Sequence, residues 1–183
     1  MINIKAKKRY LILLSIAAVI ILYLFWGPLF PWNPVKIGYT KIDASKASVY
    51  IDKLTERDSA AFEIEEIILE AEKFHGLKYI DDFKIIILDK ESNMKRYLPW
   101  LKGSGYSVSL SLADVIYIGP NARKSKFGIR RHLKHELSHM LLAQNTTFDK
   151  AQIIHKQGWF AEGIAEYFSG LLPARLDLDP DPR

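Results

Sequence analysis

Residues 127–143 read F-G-I-R-R-H-L-K-H-E-L-S-H-M-L-L-A. Ile129, Leu133, Leu137, Met140 and Leu141 recur at the spacing of one helical face, which predicts an amphipathic helix. His135 and His139 are four positions apart, ~400° around the axis, so both imidazoles emerge on nearly the same face, one turn apart. That spacing suits two nitrogen ligands of one tetrahedral ion at ~2.0–2.1 Å. Glu136, rotated by ~100°, stands beside such an ion, where a carboxylate can accept a proton from water. H-E-x-x-H has two free positions and turns up in unrelated helices. Here Leu133, Leu137, Ser138, Met140 and Leu141 are uncharged, so the helix reads as one that buries the flanks of the motif.

Outward from this helix, the preceding chain alternates helical and strand patterns. Residues 56–75 carry Ala61, Ile64, Ile67, Ile68, Ala71 and Phe74 at helical spacing, with Gly76 as a stop. Residues 84–88 (K-I-I-I-L) form a β-branched run, hence a strand. Residues 91–101 read as helix broken near Pro99, residues 103–105 as a turn, and residues 107–118 as one or two strands closed by Gly119 and Pro120. Residues 33–54 read as a connector with a strand around 47–51. Residues 145–158 show little periodicity and read as a loop. Residues 159–168 read as a further helix closed by Gly170. The tail from Arg175 is acidic and proline-rich, a composition that predicts disorder.

That last helix carries Trp159-Phe160-Ala161-Glu162-Gly163-Ile164-Ala165-Glu166-Tyr167. This segment resembles the W-x-x-E-G-x-A-x-Y segment of glutamate zincins, the peptidase MA-like group, and together with the H-E-x-x-H helix the resemblance covers residues 133–167. It implies an α+β, zincin-like fold: a small mixed sheet packed on the metal-binding helix. It also implies a Zn2+ cofactor held by His135, His139 and Glu162, with Glu136 as general base and a peptide or protein as substrate. Glu166 takes the position of a carboxylate that orients the first zinc histidine. Gly163 would let the two helices approach closely. The family's fold borders its cleft with an edge strand, for which Val115–Ile118 is the candidate. His155 and Tyr167 are candidate oxyanion donors, with Tyr117 behind them. His132, three residues before His135, reads as an exposed or packing residue, and His75 as a cation at a helix end. The family usually adds a C-terminal subdomain after the third ligand, a position held here by the short stretch 163–183. The alternative reading is therefore a catalytically weak or inactive zincin-fold binding module tethered to a membrane.

The tether is residues 11–30, L-I-L-L-S-I-A-A-V-I-I-L-Y-L-F-W-G-P-L-F, which hold no charge. At ~1.5 Å per residue, roughly twenty residues cross a ~30 Å hydrocarbon core. Trp26 and Trp32 fall where an interfacial belt would sit, and Pro28, Pro31 and Pro34 end the helix. A cleaved signal peptide fits less well, because the apolar run is long and bulky residues come after it. Lys5, Lys7, Lys8 and Arg9 precede the span and favour a cytoplasmic N-terminus, a single pass through the cell membrane and an extracytoplasmic peptidase domain. Membrane lipid is thus an expected partner through residues 10–30.

The expected organisation is 1–32 basic stub and anchor, 33–54 connector, 55–172 zincin-like domain and 173–183 disordered tail. Net charge is +5, of which those four basic residues supply four, leaving about +1 (5 − 4) for the rest. The run Arg123, Lys124, Lys126, Arg130, Arg131 and Lys134 reads as a solvated helix face and loop, so no nucleic-acid partner is expected. The chain has no cysteine, which excludes disulfides, thiolate metal sites and a cysteine nucleophile.

Overall fold

A computed structural model of the protein describes residues 4–52, 60–101, 106–146 and 158–170. The expected turn at 103–105, most of the 145–158 loop with His155, and the 173–183 tail lie outside these residues. Among the described residues the architecture is α+β: a mixed five-stranded sheet and six helices. The strands are β1 (Tyr39–Asp43), β2 (Ala47–Asp52), β3 (Phe83–Ile87), β4 (Ser107–Leu110) and β5 (Val115–Ile118). The helices are α1 (Ile4–Phe25), α2 (Ala60–His75), α3 (Glu91–Tyr97), α4 (Pro120–Lys124), α5 (Gly128–Gln144) and α6 (Gly158–Ser169).

The sheet order is β1-β2-β3-β5-β4. β2–β3 and β3–β5 are parallel, and β1 and β4 close the two edges antiparallel. β3 and β5 are interior because their sequences, F-K-I-I-I and V-I-Y-I, are apolar on both faces, as a strand covered on both sides requires. The expectation that Val115–Ile118 forms the edge is therefore corrected. The edge is β4, whose S-V-S-L alternates polar and apolar and is half-buried.

Strand pleating sorts the core into two layers. Ile85, Ile87, Ile116 and Ile118 face α2 and α5, meeting Ile64, Ile67, Ile68 and Ala71 on one helix and Leu133, Leu137, Met140 and Leu141 on the other. Ile86, Leu88, Val115 and Tyr117 face the opposite way, onto Met94, Tyr97 and Leu98. α3 stops at Tyr97 because Leu98 precedes Pro99, and the residue before proline is pushed out of helical geometry.

Two stretches expected to lie outside the domain belong to it. Residues 33–54 supply β1 and β2 in full, so the expected connector forms one side of the sheet. The apolar run 11–30 divides. α1 ends at Phe25, and over Lys8–Phe25 it is long and apolar enough to cross a membrane, with mean hydropathy 2.0 and no part buried. Residues beyond it turn into the domain through a 3-10 turn at Phe30–Trp32. Phe30 is 0% exposed, stacks on Tyr97 at 4.2 Å and tilts against Tyr39 at 5.2 Å. Gly27 is required at this corner, because a Cβ there would sit 2.8 Å from the Tyr23 carbonyl oxygen. Asn33 Nδ2 donates to the Phe25 carbonyl at 3.1 Å, and Lys36 Nζ donates to the carbonyls of Asn33 and Pro31. These bonds satisfy acceptors that a helix end leaves open.

Phe30 thus fills the second core layer from the end of the chain that follows α1. Phe30→Ala is expected to destabilise the full chain by about 3–5 kcal/mol in denaturant unfolding in micelles. Val35→Ala, at a side chain 57% exposed, is expected to change stability by less than about 0.5 kcal/mol. Equal effects of the two would mean that the Phe30 corner is not docked.

Candidate metal centre

α5 presents its apolar stripe to the sheet, and the opposite margin carries the polar residues of the motif. The helix is held at mid-length by Tyr79 Oη, which donates to the Leu137 carbonyl at 2.9 Å, and by Ser138 Oγ, 2.9 Å from His75 Nε2. α6 lies along α5 with Ala165 and Ser169 buried. Small residues at this seam permit the close approach. Gly163, expected to do so, faces elsewhere: a Cβ added there would meet nothing within 4 Å.

The seam brings three side chains to one point. His135 Nε2 and His139 Nε2 are 3.1 Å apart. Glu162 straddles them, Oε2 lying 3.4 Å from His135 Nε2 and Oε1 3.4 Å from His139 Nε2. Nitrogen or oxygen ligands ~2.05 Å from a shared tetrahedral ion are separated by about 3.3 Å. The observed separations bracket that edge length. Nε2–H donors on the two rings would satisfy the contacts to Glu162, and a cation among the atoms would satisfy the histidine–histidine contact as well. The side chains of His135 and His139 are 13% and 21% exposed, and that of Glu162 is 60% exposed, so solvent reaches the group from the carboxylate side. Burial lowers the pKa of His139, against an opposing pull from the Glu162 charge. The shift favours the neutral form of the imidazole, the form a metal ligand needs. Among the described residues this is the group whose ligand atoms could hold a metal ion.

Glu136 sits beside this group, 6% exposed. Its Oε1 accepts a hydrogen bond from Ser107 Oγ at 2.8 Å, and the Ser109 N–H donates to the same carboxylate. Gly119 N–H bonds Tyr106 O at 2.7 Å, and this pair extends the register Ser107↔Ile118. In antiparallel ladders bonded and non-bonded pairs alternate, so the main-chain groups of Ser107 and Ser109 point to the edge of β4 that no strand among the described residues pairs with. Glu136 occupies that edge. Burial raises its pKa to about 7, the Glu162 charge adds to the rise, and the bonds from Ser107 and Ser109 oppose it.

The remaining expected site residues take varied places. Glu166 lies one turn beyond Glu162, half-buried on α6. Tyr167 is rotated by ~140° from Glu162, is 65% exposed and has its ring 6.0 Å from Phe74. With Trp159, Phe160 and His75 it lines an aromatic cleft on the flank of α6 away from α5. Tyr117 points to the opposite face of the sheet, against Tyr97. His155 lies outside the described residues. His132 is a packing residue, 7% exposed, stacked on Tyr106 at 5.2 Å with Nε2 3.1 Å from Ser125 Oγ. His75 does sit at a helix end, but burial lowers its pKa and so disfavours the cation expected there. Ser107 was not foreseen. The S-V-S-L alternation was visible, but which face meets α5 depends on the pairing of β4 with β5.

Compared with family profiles, curated proteins and solved structures, the chain matches none. The site is therefore read from its own residues.

Burying Glu136 has a pH signature. The folded carboxyl titrates near 7 and the ordinary one near 4.5, so between those values the folded state binds more protons than the unfolded state. Stability then falls as pH rises from about 4.5 through 7. In the metal-free chain, Glu136→Gln is expected to exceed the wild type in stability by about 2 kcal/mol at pH 8, with near equality at pH 4. Denaturant unfolding at the two pH values measures this. A constant difference at both would contradict the buried, proton-loving carboxyl.

Proposed function

We propose that this chain is a membrane-anchored zinc metallopeptidase of the glutamate-zincin type. The observation that carries the reading is the convergence of His135 Nε2, His139 Nε2 and the Glu162 carboxylate with mutual separations of 3.1–3.4 Å. Two nitrogens and a carboxylate, with no thiolate, are a donor set that zinc accepts. In this reading His135, His139 and Glu162 hold the ion, and α1 anchors a zincin-like domain whose N-terminal stub stays in the cytoplasm.

Bound zinc would supply Lewis acidity, polarising a carbonyl and lowering the pKa of water towards ~7. The chain's own residues supply the rest. Glu136 takes a proton from the attacking water and delivers it to the leaving amine. A carboxyl raised to about 7 can both accept and release that proton near neutral pH. An extended peptide pairs with the edge of β4 through the outward main-chain groups of Ser107 and Ser109 other than the Ser109 N–H, which Glu136 takes. Glu166, one turn from Glu162, orients a ligand imidazole.

The full chain, purified gently in detergent, is expected to hold about one zinc ion. His135→Ala and Glu162→Ala are each expected to hold less than about 0.2 per chain. Glu136→Gln is expected to keep the zinc and to lose cleavage of a mixed peptide library by at least about 100-fold. Zinc retained with no wild-type cleavage would leave the tethered binding module. Equal cleavage by wild type and Glu136→Gln would assign the activity to a contaminant.

A further inference from the structure

β4 and β5 present different chemistry to α5. On that side β5 offers Ile116 and Ile118, which belong to the apolar core. At the paired positions β4 offers Ser109 and Ser107. A strand packed on a helix gains stability from apolar side chains there, and the other face of β4 obeys that rule with Val108 and Leu110. The serines stand where the strand meets Glu136. Ser107 Oγ donates to Glu136 Oε1 at 2.8 Å. Ser109 contributes its backbone N–H, and its own hydroxyl, though buried, makes no hydrogen bond among the described residues. Of the two side chains, Ser107 is the one that holds the carboxylate.

We propose that Ser107 is a positioning residue, its hydroxyl pinning Glu136 to the free edge of β4 so that the carboxylate stays aimed beside the His135–His139 pair. Its effect on turnover rests on the peptidase reading, whereas the pinning does not. Without the hydroxyl, Glu136 keeps the Ser109 amide as its partner on β4 and gains freedom to swing into solvent. A base displaced by about 1 Å can lose up to about 100-fold in rate, and a hydrogen bond to a charged group is worth about tenfold or more in an equilibrium. Threonine would restore the hydroxyl and suits a strand.

The test compares the full-length wild type, Ser107→Ala and Ser107→Thr in detergent. Hydrogen exchange at the Ser109 amide is followed by NMR on the metal-free chain; zinc per chain, thermal midpoint, kcat and KM are measured alongside. In Ser107→Ala, Ser109 exchange is expected to quicken by about tenfold. Its kcat is expected to fall by about tenfold, while KM, zinc content and midpoint hold, and Ser107→Thr is expected to recover both. Unchanged exchange in Ser107→Ala would overturn the pinning, and quickened exchange with unchanged kcat would overturn its part in turnover. A kcat loss matched by loss of zinc or of thermal midpoint would mean a structural role instead. Should the wild type neither hold zinc nor cleave peptides, the peptidase reading falls, and Ser109 exchange alone decides whether Ser107 holds Glu136.

Discussion

A carboxylate and two imidazole nitrogens lie within 3.4 Å of one another, an arrangement that only protons or a cation shared among these atoms can hold together. The packing of α6 on α5 brings the three side chains within reach of one another. α5 is fixed first: Leu133, Leu137, Met140 and Leu141 are buried against the interior strands, and Tyr79 bonds its backbone at mid-length. Ion pairs from Arg130 and Lys134 to Glu66 and Glu70 link α5 to α2. They are partly exposed and add little beside the apolar contacts. α6 is then set by Ala165 and Ser169 at the seam and by Phe168, which meets Phe74 and His75 at the end of α2. With both helices held, Glu162 has nowhere to go but across the histidine pair or into solvent.

The same logic explains the edge strand. Glu136 is taken out of water next to a second carboxylate, which raises its pKa and costs stability at neutral pH. Functional sites commonly carry such costs. β4 limits this one by giving up apolar side chains on its inner face for a hydroxyl and by directing a free-edge amide at the carboxylate. The sheet thereby links Glu136, the base of the proposed reaction, to the strand on which the proposed peptide substrate would pair.

Much of this was legible in the residues. Apolar spacing marked α5 and α6 to within about a residue at each end, because long amphipathic helices carry a strong periodic signal. H-E-x-x-H with W-x-x-E-G downstream marked the three residues that converge. Less was legible where pairing partners decide the outcome. V-I-Y-I reads as a strand, but its interior place comes from having neighbours on both sides. Residues 33–54 read as a connector because β1, Y-T-K-I-D, is polar and half-exposed and has no strong pattern of its own. Phe30 belonged by composition to the apolar run, and nothing local distinguishes a phenylalanine in lipid from one that plugs a sheet. Gly163 beside Glu162 suggested close helix approach, yet rotation around α6 turns it to the aromatic flank and leaves Ala165 at the seam.

X-ray absorption at the zinc K-edge, recorded on the full chain as gently purified, tests the shared cation most directly. A zinc ion held by His135, His139 and Glu162 predicts nitrogen and oxygen scatterers at ~2.0–2.1 Å, no sulfur, and the outer-shell signature of two imidazole rings that disappears in His135→Ala. A spectrum of fully hydrated zinc, or one without imidazole scattering, would contradict it.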